Sequence, residues 1–276
     1  VTIITLTGLF SSLHAQGVLL HESFSTYSNG DLVGQNGWTQ ILASSTVPLQ
    51  VSNGQLLIPF IALGGATADN QDAAKSFTTV PSPGVGTTSV FTGMSFTVTN
   101  ATTNGSYFYA MTDIPTGFAN IRITARDNSA TIPNTFQLGG RVTGQAGYPY
   151  VYGAALSYNT TYRVIVQAEM NSGAQNDRVL VYVDPTDSIL GNQTPYLISA
   201  FTSGAGTDPV ALGLAIFSQF ANATTGEAGI NIFDITVADN FAAAVPEPTT
   251  YALLAVTGLT GAGYTLLRRY RRNKRR

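Results

Sequence analysis

Few residues in this chain of 276 are equipped for covalent chemistry. Cysteine is absent, which excludes disulfides, thiolate nucleophiles and sulfur-ligated metals. There are two histidines, His14 in an apolar N-terminal stretch and His21 beside Glu22. A Ser-His-Asp triad would have to use His21, and no Gly-x-Ser-x-Gly elbow is present to hold a serine. With His14 lost in a cleaved N-terminal stretch, the one histidine left cannot build a histidine-rich metal site. Glycosidic hydrolysis needs two carboxylates a few ångströms apart, one protonated and one ionised. Before residue 246 the only glutamates are Glu22, Glu169 and Glu227, far apart in sequence. Asp184 and Asp187 flank Pro185 and read as a capped turn. Asp177 and Asp184 leave a calcium site open, because a hard cation takes carboxylate and carbonyl oxygens; no other metal or cofactor is expected. Gly84-x-Gly86 and Gly204-x-Gly206 lack the strand–helix setting of a phosphate cradle. The residues read as those of a protein that is not an enzyme.

Binding chemistry is better supplied. The chain has 13 tyrosines, and several cluster: Tyr107 and Tyr109, then Tyr148, Tyr150 and Tyr152, then Tyr158. Residues two apart share a face when extended. Pro149 argues against a central strand at 148–152 and for an edge or loop. Rings at such a place can stack on sugars, with Asn, Gln and Asp binding the hydroxyls. Tyr148, Tyr150 and Tyr152 are therefore the candidate glycan contacts, on a shallow aromatic surface rather than in a charged pocket. The alternative is that the rings pack and only their hydroxyls reach water. Trp38, in "GQNGW", reads as a packing anchor.

Charge divides the chain. Of its 13 basic residues seven lie at the C-terminus: Arg268, Arg269, Arg271, Arg272, Lys274, Arg275 and Arg276. Residues 1–247 hold the other six together with all 15 acidic residues, a net of −9. An acidic body with scattered arginines offers no stripe for nucleic acid. The basic cluster follows the uncharged run 249–267. As a helix that run spans roughly 28 Å, about a bilayer's hydrocarbon core. The arginines after it place the C-terminus in the cytoplasm by the positive-inside rule. Pro246 and Pro248 stop the helix from extending backward. At the other end, residues 1–15 combine an apolar core from Ile3 to Phe10 with Leu13-His14-Ala15, a cleavage site before Gln16, and read as a signal peptide lacking the usual basic start. A first β-strand is the alternative there.

In their order, the signal peptide, the body, Val245-Pro246-Glu247-Pro248, the apolar helix and the arginine cluster resemble the PEP-CTERM sorting signal of Gram-negative bacteria. The resemblance covers about the last thirty residues. It implies that Pro246, Glu247 and Pro248 are read by an exosortase, a membrane protease and transpeptidase. The precursor would be held transiently in the inner membrane, then released or transferred to the cell surface or matrix. The prolines keep the motif extended and accessible.

Between the two signals, residues 16–245 are long enough for one large domain. Period-2 alternation runs through them. Tyr162, Val164, Val166 and Ala168 share one face of "TYRVIVQAE", Val179, Val181 and Val183 one face of "RVLVYVD", and Phe233, Ile235 and Val237 one face of "GINIFDITVAD". Further strands are expected at Gln55–Pro59, Val90–Thr99, Ser106–Met111, Asn120–Ala125, Phe136–Val142 and Ala211–Phe217, separated by loops such as Asn100–Gly105, Asn171–Asp177 and Ser203–Pro209. No helical period competes. The expected fold is all-β, an antiparallel two-sheet jelly-roll sandwich. "HESFSTYSNGDLVGQNGW", "TYRVIVQAEMNSGAQNDRVLVYVDPT" and "INIFDITVADNF" are similar to segments of concanavalin-A-like (LamG or lectin-glucanase-like) sandwiches. The glucanases of that group carry Glu-x-Asp-x-x-Glu on one strand, and no such string occurs here. The expectation is a non-enzymatic exported cell-surface or extracellular-matrix protein. The alternatives are a lectin-like module for exopolysaccharide and, behind it, a divergent glycoside hydrolase.

Overall fold

The computed structural model describes residues 17–41, 48–63, 71–113, 121–142, 150–173, 176–200, 209–219 and 225–245. The expected signal peptide, Pro246–Glu247–Pro248, the apolar run 249–267, the basic cluster and Tyr148 lie outside them. Among the described residues no helix is long and apolar enough to cross a membrane.

The strands, in chain order, are β1 (Val18–Ser23), β2 (Gly30–Asp31), β3 (Thr39–Gln40), β4 (Gln50–Ser52), β5 (Gln55–Ile58), β6 (Gln71–Pro81), β7 (Thr87–Asn100), β8 (Tyr107–Thr112) and β9 (Ile121–Asp127). They continue with β10 (Thr135–Val142), β11 (Val151–Tyr152), β12 (Leu156–Ser157), β13 (Thr161–Asn171), β14 (Arg178–Val183), β15 (Leu197–Ala200), β16 (Ala211–Gln219) and β17 (Gly229–Ala238). All pair antiparallel. Sheet A runs β15-β14-β13-β7-β17-β5-β4-β2, with β1 also on β17. Sheet B runs β11-β10-β9-β8-β16-β6-β3, with β12 also on β10.

One apolar core lies between the sheets. Met94, Phe96, Val164, Val166, Val179, Val181, Ile235 and Val237 reach it from sheet A, and Phe108, Met111, Ile121, Ile123, Leu138 and Phe217 from sheet B. Alternate residues of a strand point to opposite faces, so each sheet gives the core every second side chain. Trp38 is an anchor as expected, buried with its ring 5.4 Å from that of Phe217. The outer face of sheet A has its own cover. Helix α1 (Phe241–Ala244) is capped by Asn240, whose side chain accepts the Ala243 N–H at 2.9 Å. It lays Phe241 edge-on against Phe91 and Tyr182 over Ile165 and Leu180.

Two bulges correct the expected faces. Between Ile232 and Asp234 the register against β7 shifts, so Ile230, Ile232, Ile235 and Val237 enter the core while Phe233 stays half-buried outside it. A second shift separates Tyr107 from Tyr109. Phe108 and Tyr109 both enter the core, and Tyr107 alone packs on the other face of sheet B. One extra residue in a strand has this effect, because the faces alternate with period 2. Strand β6 was not expected. Its "QDAAK" start carries two charges and two alanines, poor strand formers, and their partners are tertiary.

Candidate functional site

The outer face of sheet B gathers polar and aromatic side chains from β8, β9, β10 and the chain entering β11. In β9, Ile121, Ile123 and Ala125 point to the core, which sends Arg122 and Arg126 outward. In β10, Leu138 points inward and Gln137 and Arg141 outward, and cross-strand register sets Gln137 beside Arg126 and Arg141 beside Arg122. Between them Gly139 leaves a gap opposite Tyr152. A Cβ at Gly139 would lie 2.6 Å from the Tyr152 ring, so only glycine lets that ring settle on the backbone.

Rings and guanidiniums then alternate. The Arg126 guanidinium lies 3.6 Å above the Tyr152 ring centre, Arg141 4.6 Å from Tyr150, and Arg122 4.6 Å from Tyr107. The Tyr150 and Tyr152 rings are 6.1 Å apart and tilted by 48°. Arg126 Nε and Nη2 both donate to Gln137 Oε1, at 3.0 and 2.8 Å, while Gln137 Nε2 donates to the Gly153 carbonyl at 2.7 Å. Tyr107 donates to Asp72 Oδ2 of β6 at 3.3 Å. All six rings and guanidiniums are half-buried.

Burial raises the pKa of Tyr150 and Tyr152, and the neighbouring guanidiniums pull it back in part. Burial also lowers the pKa of Arg141; the Tyr150 phenol opposes this and the Arg122 charge adds to it. The face holds three of the six cations found before residue 248. A ring attracts a cation through its quadrupole without neutralising it. Among the described residues neither Arg122 nor Arg126 belongs to an ion pair; those recorded are Lys75–Glu22 and Arg178–Glu169.

Tyr150 and Tyr152 are thus brought together at the sheet edge as their sequence suggests, but the surface is not charge-poor. Three arginines cover ring faces that a charge-poor surface would leave open, because Arg122, Arg126 and Arg141 are neighbours in register though not in sequence. The available signal is half of the body's cations falling within residues 122–141, on two adjacent strands. Tyr109 is excluded from the face; it is fully buried with its hydroxyl 2.8 Å from Thr92 Oγ1.

The remaining candidates lie apart from this face. Asp184, in a left-handed turn at φ 47°, accepts the Arg163 N–H at 2.9 Å, and Asp187 accepts the Ile189 N–H at 2.7 Å. Asp177 accepts the Asn171 N–H at 2.7 Å at the far end of β14 from Asp184. The two carboxylates are on the order of 20 Å apart along an extended strand, which removes the calcium bracket between them. Among the described residues no three His, Asp or Glu side chains form a group that could hold a metal ion. Glu169 pairs with Arg178, and His21 Nδ1 lies 2.9 Å from Thr236 Oγ1. Glu22 is buried at the centre of a clasp. It accepts from Tyr27 Oη, from Asn36 Nδ2 at 2.8 Å and from Lys75 Nζ, and Trp38 Nε1 donates to Tyr27 Oη at 3.2 Å. Burial, then the hydrogen bond to Glu22, pushes the Tyr27 phenol up to about 12.

The chain is an all-β protein of two antiparallel sheets. No protein-family model matches its sequence, and no curated protein does. Among solved structures it is similar to the CBM2 module of the evolved Dit of Lactobacillus casei BL23 phage J-1, at 13% identity and TM-score 0.48 over 81% of this chain and 96% of that one. It is similar to the endo-1,3-beta-glucanase of Streptomyces sioyaensis at 11% identity and TM-score 0.41, over 80% of this chain and 95% of that one. The Emp47p carbohydrate recognition domain follows at 10% identity and TM-score 0.40, over 82% of this chain and 98% of that one. Likenesses at this level carry no argument about a ligand; the site must speak through its own residues.

Proposed function

We propose that this is a non-enzymatic exported surface or matrix protein whose jelly-roll sandwich binds glycan on the outer face of sheet B. The observation that carries the reading is the convergence of Tyr107, Tyr150, Tyr152, Gln137 and three arginines on one face. Aromatic edges and guanidinium forks together supply apolar contact and directional donors, which sugars require. The tail would act as the sorting signal: an exosortase would recognise Pro246, Glu247 and Pro248 while the inner membrane holds 249–267 and the basic cluster stays cytoplasmic. The chain would then pass to the surface or matrix.

Affinity electrophoresis of the full chain through gels containing extracellular polysaccharides tests the binding. Retardation is expected, and Tyr150→Ala and Tyr152→Ala should abolish it without altering the circular dichroism. A wild type that no polysaccharide retards overturns the glycan reading. Sorting is tested by intact mass: the surface species should lack residues 1–15 and the basic tail, and alanines at 246–248 should trap the precursor. A mature protein that keeps Arg276 refutes the sorting reading. Reproducible hydrolysis of any polysaccharide, lost on changing Glu169 or Asp184, would place the protein among hydrolases instead.

A further inference from the structure

We infer that the ligand of the sheet B face is an acidic polysaccharide, one bearing carboxylate or sulfate groups, rather than a neutral glycan; this rests on the glycan reading above. The domain is acidic, with 15 acidic and six basic residues before residue 248, yet three of those six share one face. Elsewhere Lys75 and Arg178 are each paired with a carboxylate, Glu22 and Glu169. Arg122 and Arg126 belong to no ion pair among the described residues; they are held by rings, by the Tyr150 phenol and by a neutral glutamine, and the one carboxylate noted on this face, Asp72, is taken by Tyr107.

The register makes the arrangement costly. Arg122 and Arg141 stand directly opposite each other on adjacent strands, a like-charge pairing that destabilises an isolated ladder. Among the described residues the buried Nε of Arg122 has no hydrogen-bond partner. An unmet charged donor in such a place calls for an acceptor. An anion bound at this face sets a counter-charge beside Arg122 and offers its guanidinium an acceptor. Guanidinium forks match planar carboxylates and tetrahedral sulfates in geometry as well as charge. The tyrosines take the other part of the ligand: Tyr150 and Tyr152, at 6.1 Å between ring centres, offer apolar edges beside the cations.

The test is affinity electrophoresis of the full chain in mild detergent, through gels carrying either a polyuronate or a neutral β-glucan of matched viscosity. All variants keep the basic tail, so its contribution is common to every lane. Wild type should be retarded by the polyuronate and not by the glucan. Arg122→Gln/Arg126→Gln should weaken the apparent affinity by on the order of 100-fold, about tenfold for each charge-assisted contact removed. Because Arg126 also packs on Tyr152, Arg126→Lys is run beside it; lysine keeps the charge but not the fork and should bind more weakly than wild type yet more tightly than Arg126→Gln, and circular dichroism reports folding for each variant. Raising the salt from 0.05 to 0.5 M should weaken the binding, since exposed charges are screened within a few ångströms there. Equal retardation of wild type and the folded double variant by polyuronate would overturn the inference. So would retardation by the neutral glucan alone, which leaves glycan binding standing. Retardation by neither overturns the glycan reading itself.

Discussion

Replacing Lys75 by methionine removes the cation that balances Glu22 and leaves the rest of the clasp in place. The Lys75 side chain is 14% exposed and that of Glu22 4%, so the pair is a buried one rather than a surface contact. Breaking a buried pair by removing one partner costs about 3–5 kcal/mol, because the other charge stays behind unbalanced. Glu22 would keep two donors, Tyr27 Oη and Asn36 Nδ2, which favours the low end, about 3 kcal/mol. A domain of ordinary stability, about 5–15 kcal/mol, would lose a fifth to three-fifths of it. Glu22→Gln/Lys75→Met removes both charges and should recover about 2 kcal/mol of the loss. Urea unfolding followed by fluorescence is the assay. The chain has one tryptophan, Trp38, and its indole N–H donates into this network, so the probe sits where the perturbation acts. A Lys75→Met cost below about 1 kcal/mol, the range of exposed pairs, or a double variant no better than the single one, would refute the argument.

Three further outcomes follow from named contacts. Phe241→Ala should cost about 3 kcal/mol by emptying the space between Phe91 and Tyr182 and releasing α1, measured by thermal unfolding. Gly139→Ala should push Tyr152 off the β10 backbone, cost about 1–3 kcal/mol and remove glycan retardation, with the β-rich spectrum unchanged. Burial raises the pKa of Asp234, although the Ser95 N–H bonded to its Oδ1 at 3.2 Å holds it down in part. The folded state therefore binds this proton more tightly than the unfolded one. Its stabilising contribution is full below the unfolded carboxyl value and lost as pH rises through the folded one. Asp234→Asn, which keeps an acceptor for Ser95, should be more stable than wild type at pH 7, and the gap should close on acidification below about pH 4.

Alternation made β9, β10, β13, β14 and most of β17 legible in the sequence, because each has one face on the core and the apolar residues fall on it with period 2. It failed where the chain adds a residue. Nothing local in "NIFDI" or "YFYAM" marks a bulge; the shift exists only against the partner strand, so Phe233 and Tyr109 lie on faces that simple alternation does not give. Strand β6 was hidden for a related reason: Lys75 is satisfied by Glu22, 53 positions away, and no window of sequence contains both. The candidate site was half visible. The tyrosine pair declares itself by spacing and by Pro149, whereas the arginines above it come from two other strands, and cross-strand register alone brings them over the rings.

Strand β17 is the last of the described strands in chain order, yet it lies in the middle of sheet A, with β7 on one side and β5 and β1 on the other. A nascent chain that ends before Gly229 therefore holds two half-sheets with nothing between them. The edge of β7, Thr87–Asn100, stays unpaired on that side, and a long bare edge of this kind invites pairing with other chains. Assembly of the sheet waits for the final strand, and α1 follows within three residues to cover the outer face it completes. Whatever carries the unfinished chain must shield one particular edge until the closing strand arrives. Truncations should sort accordingly: loss of 229–238 leaves the β7 edge open and prone to aggregate, whereas loss of 241–245 alone uncovers only the outer-face cluster.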